Sequence, residues 1–177
     1  SAIANGVIPS SAIVAVGVDQ LAEVASVLLE AGVTRLLLEK PGGLRSEELA
    51  GIRDLVPSGE VTVAYNRRHY ASTSRARQII AEDGGVSSFF FEITEWPHST
   101  EPKQVDLPVR NRWLLAQSSH VMDLAFHLGG QPVDWACWHK GSLIWHQESS
   151  RFAGAGVTVA GATFGFHGDW EAPGRWG

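Results

Sequence analysis

The alternation of apolar and polar stretches predicts three short strands in the first third of the chain. Residues 12–16 form an uninterrupted apolar run, which is typical of a strand buried on both faces of a parallel sheet. Two further strands are predicted at 36–39 and 61–65. Because parallel strands need helical crossovers between them, this spacing predicts that residues 1–66 are half of a doubly wound α/β domain.

The intervals between these strands have helical periodicity. In the first interval, Asp19 is predicted to cap a helix whose apolar residues recur at three- and four-residue spacing, and Gly32 ends it. In the second interval, Ser46 is the predicted cap, and the helix runs to about Val56, before the Pro-Ser-Gly sequence at 57–59. The first domain is therefore predicted to alternate strand and helix throughout.

A different pattern begins after Asn66. Three prolines and many polar residues at 96–112 predict a long loop, which is either a lid or binding segment or a disordered connector. The other predicted elements are a helix at 70–81, a strand at 87–95, a helix at 118–128 and antiparallel strands at 135–140 and 157–166. Residues 67–177 are therefore predicted to form a second, α+β domain with a largely antiparallel sheet.

Composition narrows the class of protein. The 177 residues are 44% hydrophobic and have a formal net charge of −5 without a basic run, which argues against a nucleic-acid partner because backbone phosphates require clustered Lys and Arg. No apolar stretch approaches the roughly 20 residues that span a bilayer, so no membrane partner is expected. Cys137 is the only cysteine, so neither an intrachain disulfide nor a cysteine metal site is predicted, and a reducing cytoplasm fits best.

The first candidate chemical groups follow the second and third strands. Ligands bind at the carboxyl edge of an open parallel sheet, and Lys40 lies at that edge in the sequence Glu-Lys-Pro-Gly-Gly. Its ammonium could hydrogen-bond a substrate hydroxyl and stabilise the oxygen as hydride leaves the adjoining carbon; the alternative is a surface lysine paired with Glu39. Asn66, Arg67 and Arg68 follow the third strand, where they could hold sugar hydroxyls or a cofactor phosphate, or form a solvated interdomain hinge.

The predicted helix at 118–128 carries further candidates. His120 could take a hydroxyl proton during oxidation, although helix histidines are more often ordinary polar residues. His120, Asp123 and His127 share one helical face, which raises the alternative of a metal site. The two histidines are seven residues apart and thus separated by about 10 Å of helical rise, whereas metal bonds are about 2 Å long, so no metal is expected.

Three of these segments together resemble one enzyme family. Glu39-Lys40-Pro41, residues 65–68 and residues 120–124 resemble motifs of the glucose-fructose oxidoreductase and inositol dehydrogenase (Gfo/Idh/MocA) family. The resemblance implies a Rossmann-type domain followed by a substrate-binding and oligomerisation domain, NAD(P)-dependent oxidation of a secondary alcohol on a sugar, polyol or sugar derivative, and a homo-oligomer formed through the second-domain sheet. The candidate residues are Lys40 and His120 for catalysis; Gly17, Val18, Glu39, Lys40 and Arg67 for NAD or NADP; and Asn66, Arg110, Arg112 and Asp123 for the substrate. Asp123 could instead orient the helix.

One departure from the family pattern bears on activity. The family commonly has an Asp one helical turn before this His, and Ala116 occupies that position here. A carboxylate there would orient the imidazole or raise its basicity. Its loss leaves a second hypothesis, in which the protein is a catalytically inactive homologue that serves as a sugar-binding or scaffold protein. Trp135, Trp138 and Trp145 could then stack on sugar rings or a partner protein, or they could lie in the core or a subunit interface.

A second departure concerns the cofactor. No Gly-x-Gly-x-x-Gly sequence lies between a predicted strand and helix, and the Gly-Ala-Gly sequence at 154–156 precedes a strand, where it cannot seat a pyrophosphate. The resemblance places the fingerprint upstream of this chain. We therefore expect an internal fragment that lacks the first strand-helix unit, and the choice between NAD and NADP stays open.

Overall fold

The computed structural model describes residues 6–56, 60–94 and 106–172. The chain divides into two compact units, one formed by Ser1–Tyr65 with Arg112–Gln117 and the other by Asn66–Asn111 with Ser118–Gly177. No helix in the described ranges is both long and apolar enough to cross a membrane. The predicted helix breaker at 57–59 and most of the predicted loop, 96–105, lie outside the described residues.

The first unit contains a three-stranded parallel sheet whose strand order follows the sequence. Its register aligns Val14 with Leu38 and Leu38 with Val63. Each strand starts one residue before its predicted start and ends one or two residues before its predicted end. The predicted alternation of strand and helix is confirmed. The elements are β1 (Ser11–Val14), α1 (Leu21–Glu30), β2 (Arg35–Leu38), α2 (Ser46–Asp54) and β3 (Glu60–Val63).

The helix starts in the first unit differ from the predicted caps. Gln20, and not Asp19, occupies the N-cap position of α1, and its side chain makes no capping hydrogen bond. The backbone N–H of Gln20 instead donates to the Gly17 carbonyl at 2.9 Å, so a tight backbone turn leads into the helix. Ser46 is the first residue of α2 and not its cap. Gly32 ends the α1 segment as predicted, with a φ of 102° that favours glycine.

One face of this sheet carries the core of the first unit. Because both crossovers run in the same direction, right-handed connections place α1 and α2 on the same face. The opposite face is exposed in the described residues: Ile13 is 76% exposed and Leu37 is 39% exposed. The expectation that β1 is buried on both faces is therefore wrong for the described part of the chain. The buried core residues are Val14, Leu21, Ala25, Leu29, Val33, Leu36, Leu38 and Ile52.

The rest of the chain begins with a 3₁₀ turn at Asn66–His69. Its sheet has the order β4-β7-β6-β5, parallel between β4 and β7 and antiparallel at the other two junctions, which confirms a largely antiparallel sheet. The elements are α3 (Ala71–Glu82), β4 (Ser88–Glu92), α4 (Leu107–Arg110), α5 (Trp113–Gly129), β5 (Pro132–Lys140), β6 (Arg151–Thr158) and β7 (Thr163–Asp169).

Some elements in this part of the chain differ from their predicted bounds. The helix predicted at 118–128 begins at Trp113, and one turn of helix, α4, lies within the segment predicted as loop. The strand predicted at 157–166 contains the end of β6, a turn and the start of β7. The turn includes Gly161, whose φ is 87° and whose N–H donates to the Thr158 carbonyl at 2.9 Å.

Stacked phenylalanines form the packed face of the second sheet. Phe126 of α5 meets the rings of Phe89, Phe91 and Phe164 edge-on, with centroids 5.0 to 6.0 Å apart. A Cβ added at Gly154 would lie 2.3 Å from the Phe166 ring, and one at Gly156 would lie 2.3 Å from the Asp134 carbonyl oxygen. The Gly-Ala-Gly sequence therefore serves close packing between strands and rings.

Candidate functional site

The turn after β2 fixes the position of Lys40. A cis peptide bond joins Lys40 to Pro41, and the N–H of Gly42 donates to the Glu39 carbonyl at 3.0 Å. Gly42 is buried with a φ of 84°, and a Cβ added to it would lie 2.9 Å from Cγ2 of Val63. Only glycine combines this backbone conformation with so close an approach to β3. Gly42 therefore has a packing role in this turn.

The Lys40 ammonium is directed towards the start of α5. Its Nζ donates to the Ala116 carbonyl oxygen at 2.5 Å, and both residues belong to the first unit. Ala116 is 4% exposed and holds the position at which the resemblance implies an Asp. A backbone carbonyl therefore accepts the lysine at this position. His120 lies four residues further along α5, about one helical turn.

The exit of β1 contains the predicted cofactor contacts Gly17 and Val18. Gly17 is exposed and Val18 is half-buried. A Cβ added at position 17 would lie 2.8 Å from Oδ1 of Asp19, so glycine at this position lets the Asp19 side chain approach the backbone at the strand end. Glu39, the third predicted contact, is exposed at the exit of β2.

A bidentate ion pair connects the 3₁₀ turn with α5 in the second unit. Nε of Arg68 donates to Oδ2 and Oδ1 of Asp123 at 2.8 and 3.1 Å, and Nη2 donates to Oδ1 as well. The Asp123 side chain is only 8% exposed, whereas that of Arg68 is 44% exposed. The pairing of Arg68 with Asp123 was not predicted, because the two charges are distant in sequence and no local pattern pairs them.

The other predicted substrate residues lie on two segments. Asn66 is exposed at the start of the 3₁₀ turn, and the Arg67 carbonyl accepts a hydrogen bond from Thr73 Oγ1 at 2.7 Å, which ties the turn to α3. Arg110 is half-buried in the last position of α4, and Arg112 is exposed just before α5. Residues 96–105 of the predicted loop lie outside the described residues.

The histidines of α5 differ in environment. His120 is half-buried. Nε2 of His127 is buried without a hydrogen-bond partner among the described residues. Burial and the positive charges of Arg68 and Arg77 hold the pKa of His127 below its ordinary value. In the described ranges no three His, Cys, Asp or Glu side chains group as a metal site would require, and the Asp123 carboxylate is bonded to Arg68.

The tryptophans that could bind a sugar do not form one cluster. Trp135 pairs with Gly156 and Trp138 pairs with Ala153, so the two rings are on opposite faces of β5. Both are more than half exposed. Trp145 instead stacks on the fully buried Trp170, with ring centroids 5.8 Å apart, and is part of a packed aromatic group.

No family model matches this sequence, and no curated protein matches it. Solved structures do. Levoglucosan dehydrogenase in complex with NADH and levoglucosan is 20% identical, with a TM-score of 0.73, over 94% of this chain and 49% of that one. The WlbA dehydrogenase from Bordetella pertussis in complex with NADH and UDP-GlcNAcA is 16% identical, with a TM-score of 0.78, over 98% of this chain and 52% of that one.

These likenesses confirm the fold that the sequence motifs implied. At such low identity they establish the fold and not the activity. The chain spans about half the length of the structures that it matches. It thus has the fold of the corresponding half of dehydrogenases that have been crystallised with NADH and a sugar or sugar derivative.

Proposed function

We propose that the full-length protein containing this chain is an NAD(H)-dependent dehydrogenase that oxidises a secondary alcohol on a sugar, polyol or sugar derivative. The observation that carries the proposal is the Lys40 ammonium, which is hydrogen-bonded to Ala116, one turn before His120. The fold shared with NADH-bound sugar dehydrogenases supports it. The single cysteine, Cys137, favours a reducing cytoplasm as its location.

Lys40 and His120 have complementary roles in the proposed reaction. The Lys40 ammonium hydrogen-bonds the substrate oxygen and stabilises the negative charge that develops on it. The His120 imidazole accepts the hydroxyl proton in oxidation and returns it in reduction. When bound, NAD(H) supplies the hydride acceptor or donor. The residues proposed to hold it are Gly17, Val18, Glu39, Lys40 and Arg67, and the exposure of Gly17 and Glu39 after their strands supports this assignment.

The proposed substrate residues favour an anionic sugar. Asn66 has an exposed amide that suits sugar hydroxyls. Arg110 and Arg112 have guanidinium groups that suit bidentate binding of a carboxylate or phosphate. A carboxylated or nucleotide-linked sugar is therefore the preferred class. The UDP-GlcNAcA bound to the WlbA dehydrogenase is a nucleotide-linked sugar and supports this choice.

The open face of the second sheet is proposed as a homo-oligomer interface. The register places Phe90, Gly165, Ala155 and Ala136 in one row across the four strands of this face. Phe90 is 66% exposed, and Trp138 on the same face is 63% exposed. Small residues between large exposed rings would let a second sheet approach closely, which suits a second copy of the chain.

Turnover by the full-length protein tests the proposed reaction. NADH formation is followed with a panel of polyols, sugars, sugar acids and nucleotide-linked sugars, with NAD⁺ and NADP⁺ in turn. Lys40→Met and His120→Ala are each expected to lower kcat/KM by about 100-fold or more. Arg53→Met, at a side chain of α2 that is 78% exposed, controls for removal of a surface charge and keeps the wild-type rate. Wild-type turnover by either site variant contradicts the mechanism.

The second candidate function is sugar binding or scaffolding without catalysis. The observation that favours it is Ala116, which supplies a carbonyl to Lys40 but no carboxylate to His120. Calorimetric titration of the full-length protein with NADH, NADPH and the sugar panel distinguishes the two functions. Binding of sugar with neither cofactor nor turnover favours the second candidate; binding of NADH or NADPH together with turnover favours the dehydrogenase.

A further inference from the structure

The Arg68–Asp123 ion pair engages a carboxylate that is also a candidate substrate ligand. Both oxygens of Asp123 accept from the forked guanidinium of Arg68, and the carboxylate is almost completely shielded from solvent. A sugar hydroxyl would have to compete with a charge-assisted, bidentate bond for the same oxygens. This arrangement favours a structural task for the carboxylate over direct contact with a ligand.

We propose that Asp123 and Arg68 are positioning residues for His120, an inference that rests on the dehydrogenase function proposed above. Asp123 follows His120 by three residues in α5, and residues at this spacing are neighbours on one helical face. The ion pair therefore holds α5 at the turn that carries the imidazole. It restricts both the rotation of the helix and its displacement along its axis.

Arg68, the cation of this ion pair, lies in the 3₁₀ turn that also contains two other candidate site residues. Arg68 is preceded directly by Asn66 and Arg67 in the 3₁₀ turn, and Thr73 fixes the turn by donating to the Arg67 carbonyl. The pair thus sets the distance between the turn that offers substrate donors and the helix that offers the base. Displacement of a catalytic group by about 1 Å can cost about 100-fold in rate, so one ion pair at this junction is enough to matter.

A double-mutant cycle in the full-length protein measures this coupling. Asp123→Asn keeps the shape of the side chain and removes its charge, and Arg68→Met keeps the aliphatic stem and removes the fork. Each is expected to lower kcat by about 10- to 100-fold with little change in KM, and the double variant is expected to be no worse than either single one. Arg75→Met, at an exposed position of α3, is the matched control. Arg68→Lys, which keeps the charge but not the fork, should recover part of the loss.

Two outcomes overturn the assignment. A raised KM with unchanged kcat in Asp123→Asn, together with wild-type kinetics in Arg68→Met, would make Asp123 a substrate ligand. Additive losses in the double variant would show that the two residues act independently.

A readout that needs no turnover separates this inference from the proposed function. The tautomer and titration of the His120 ring are followed by nitrogen-proton NMR in the wild type, Asp123→Asn and Arg68→Met, with thermal unfolding as the check on folding. A change in the His120 signals in both variants supports positioning even if no substrate is turned over. Unchanged His120 signals overturn it, whether or not the protein proves to be a dehydrogenase.

Discussion

His127 lies one helical turn beyond Asp123, and its buried Nε2 has no hydrogen-bond partner among the described residues. Burial of the ring, and then the positive charges of Arg68 and Arg77, lower the pKa of His127 from the ordinary value of 6.5, against the opposing effect of the Asp123 carboxylate. Protonation would place a positive charge where water is largely excluded and close to both arginines. The native state therefore resists protonation of this imidazole more than the unfolded chain does.

This difference predicts a pH dependence of stability. Below about pH 6.5 the unfolded state binds a proton at His127 that the native state resists, so protonation favours unfolding. The stability that comes from burying the neutral His127 ring is fully present above about pH 6.5. It is lost as the pH falls towards the lowered pKa of the native state. Urea unfolding between about pH 5 and 8 is expected to show a smaller fall in stability for His127→Gln than for the wild type. The same substitution at the exposed His139 controls for removal of an imidazole as such. Identical pH profiles for the wild type and His127→Gln would contradict the prediction.

For single residues, the sequence predicted which side chains are candidates for the site better than it predicted what those side chains contact. Lys40 stood out because a charged residue follows an apolar strand in a recognisable signature. The partners of the charged groups could not be predicted, because the hydrogen bonds of Lys40 to Ala116 and of Arg68 to Asp123 join residues that only the fold brings together. The Ala116 carbonyl that accepts from Lys40 is a backbone group, so the residue type at position 116 could not have predicted this contact.

Among the elements, β6 depends on glycine for its place in the sheet. A Cβ on Gly154 would meet the Phe166 ring at 2.3 Å and the Ala136 carbonyl oxygen at 2.8 Å. Gly154→Ala is expected to lower the free energy of unfolding by about 1 to 3 kcal/mol, because both the ring and the neighbouring strand must shift. Chemical denaturation measures the change.

The matched control is the same substitution in a helix. Gly51 lies inside α2 with nothing within 4 Å of an added Cβ, so Gly51→Ala is expected to leave stability unchanged or raise it by about 0.5 to 1 kcal/mol. Equal effects of the two substitutions would show that close packing at β6 is not what the glycine provides.

Element types were predictable and several element ends were not. The strands and helices of the first unit follow from apolar runs and helical periodicity, because each element buries one face. The start of α5 at Trp113 was missed because residues 113–116 are all apolar and show no helical period. The turn between β6 and β7 was missed because Val159 continues the apolar alternation through it, although the chain reverses at Gly161.

For the whole molecule, the open face of the second sheet predicts the assembly state. Trp138→Glu would place a charge among the exposed apolar residues of this face, and burying that charge in an interface is costly. Light scattering on the full-length protein is expected to show a shift to a smaller species with unchanged helix and sheet content. Trp135→Glu, on the other face of the same strand, is the matched control. An assembly that survives Trp138→Glu would place the interface elsewhere.

The fold class was predictable from the sequence, whereas the pairing of distant strands was not. A strand-helix alternation implies a parallel sheet by the handedness of its crossovers. No comparable rule predicts that β4 pairs with β7, because their pairing depends on how distant hydrophobic segments pack during folding. The same limit applies to the open face of the first sheet, where the apolar run of β1 predicted burial that the described residues do not provide.

The β4–β7 pair also has a consequence for how the protein is made. Ser88 lies beside Thr163 and Glu92 beside His167, so the three consecutive phenylalanines of β4 leave the ribosome long before their partner strand does. Closing so large a loop is entropically costly, and non-local pairing of this kind slows folding. During synthesis β4 is an apolar segment whose partner strand has not yet been made. Apolar segments with unpaired strand edges are prone to aggregate or to recruit chaperones. The slowest step in maturation should therefore be the arrival of β7, long after the parallel sheet of the first unit has formed.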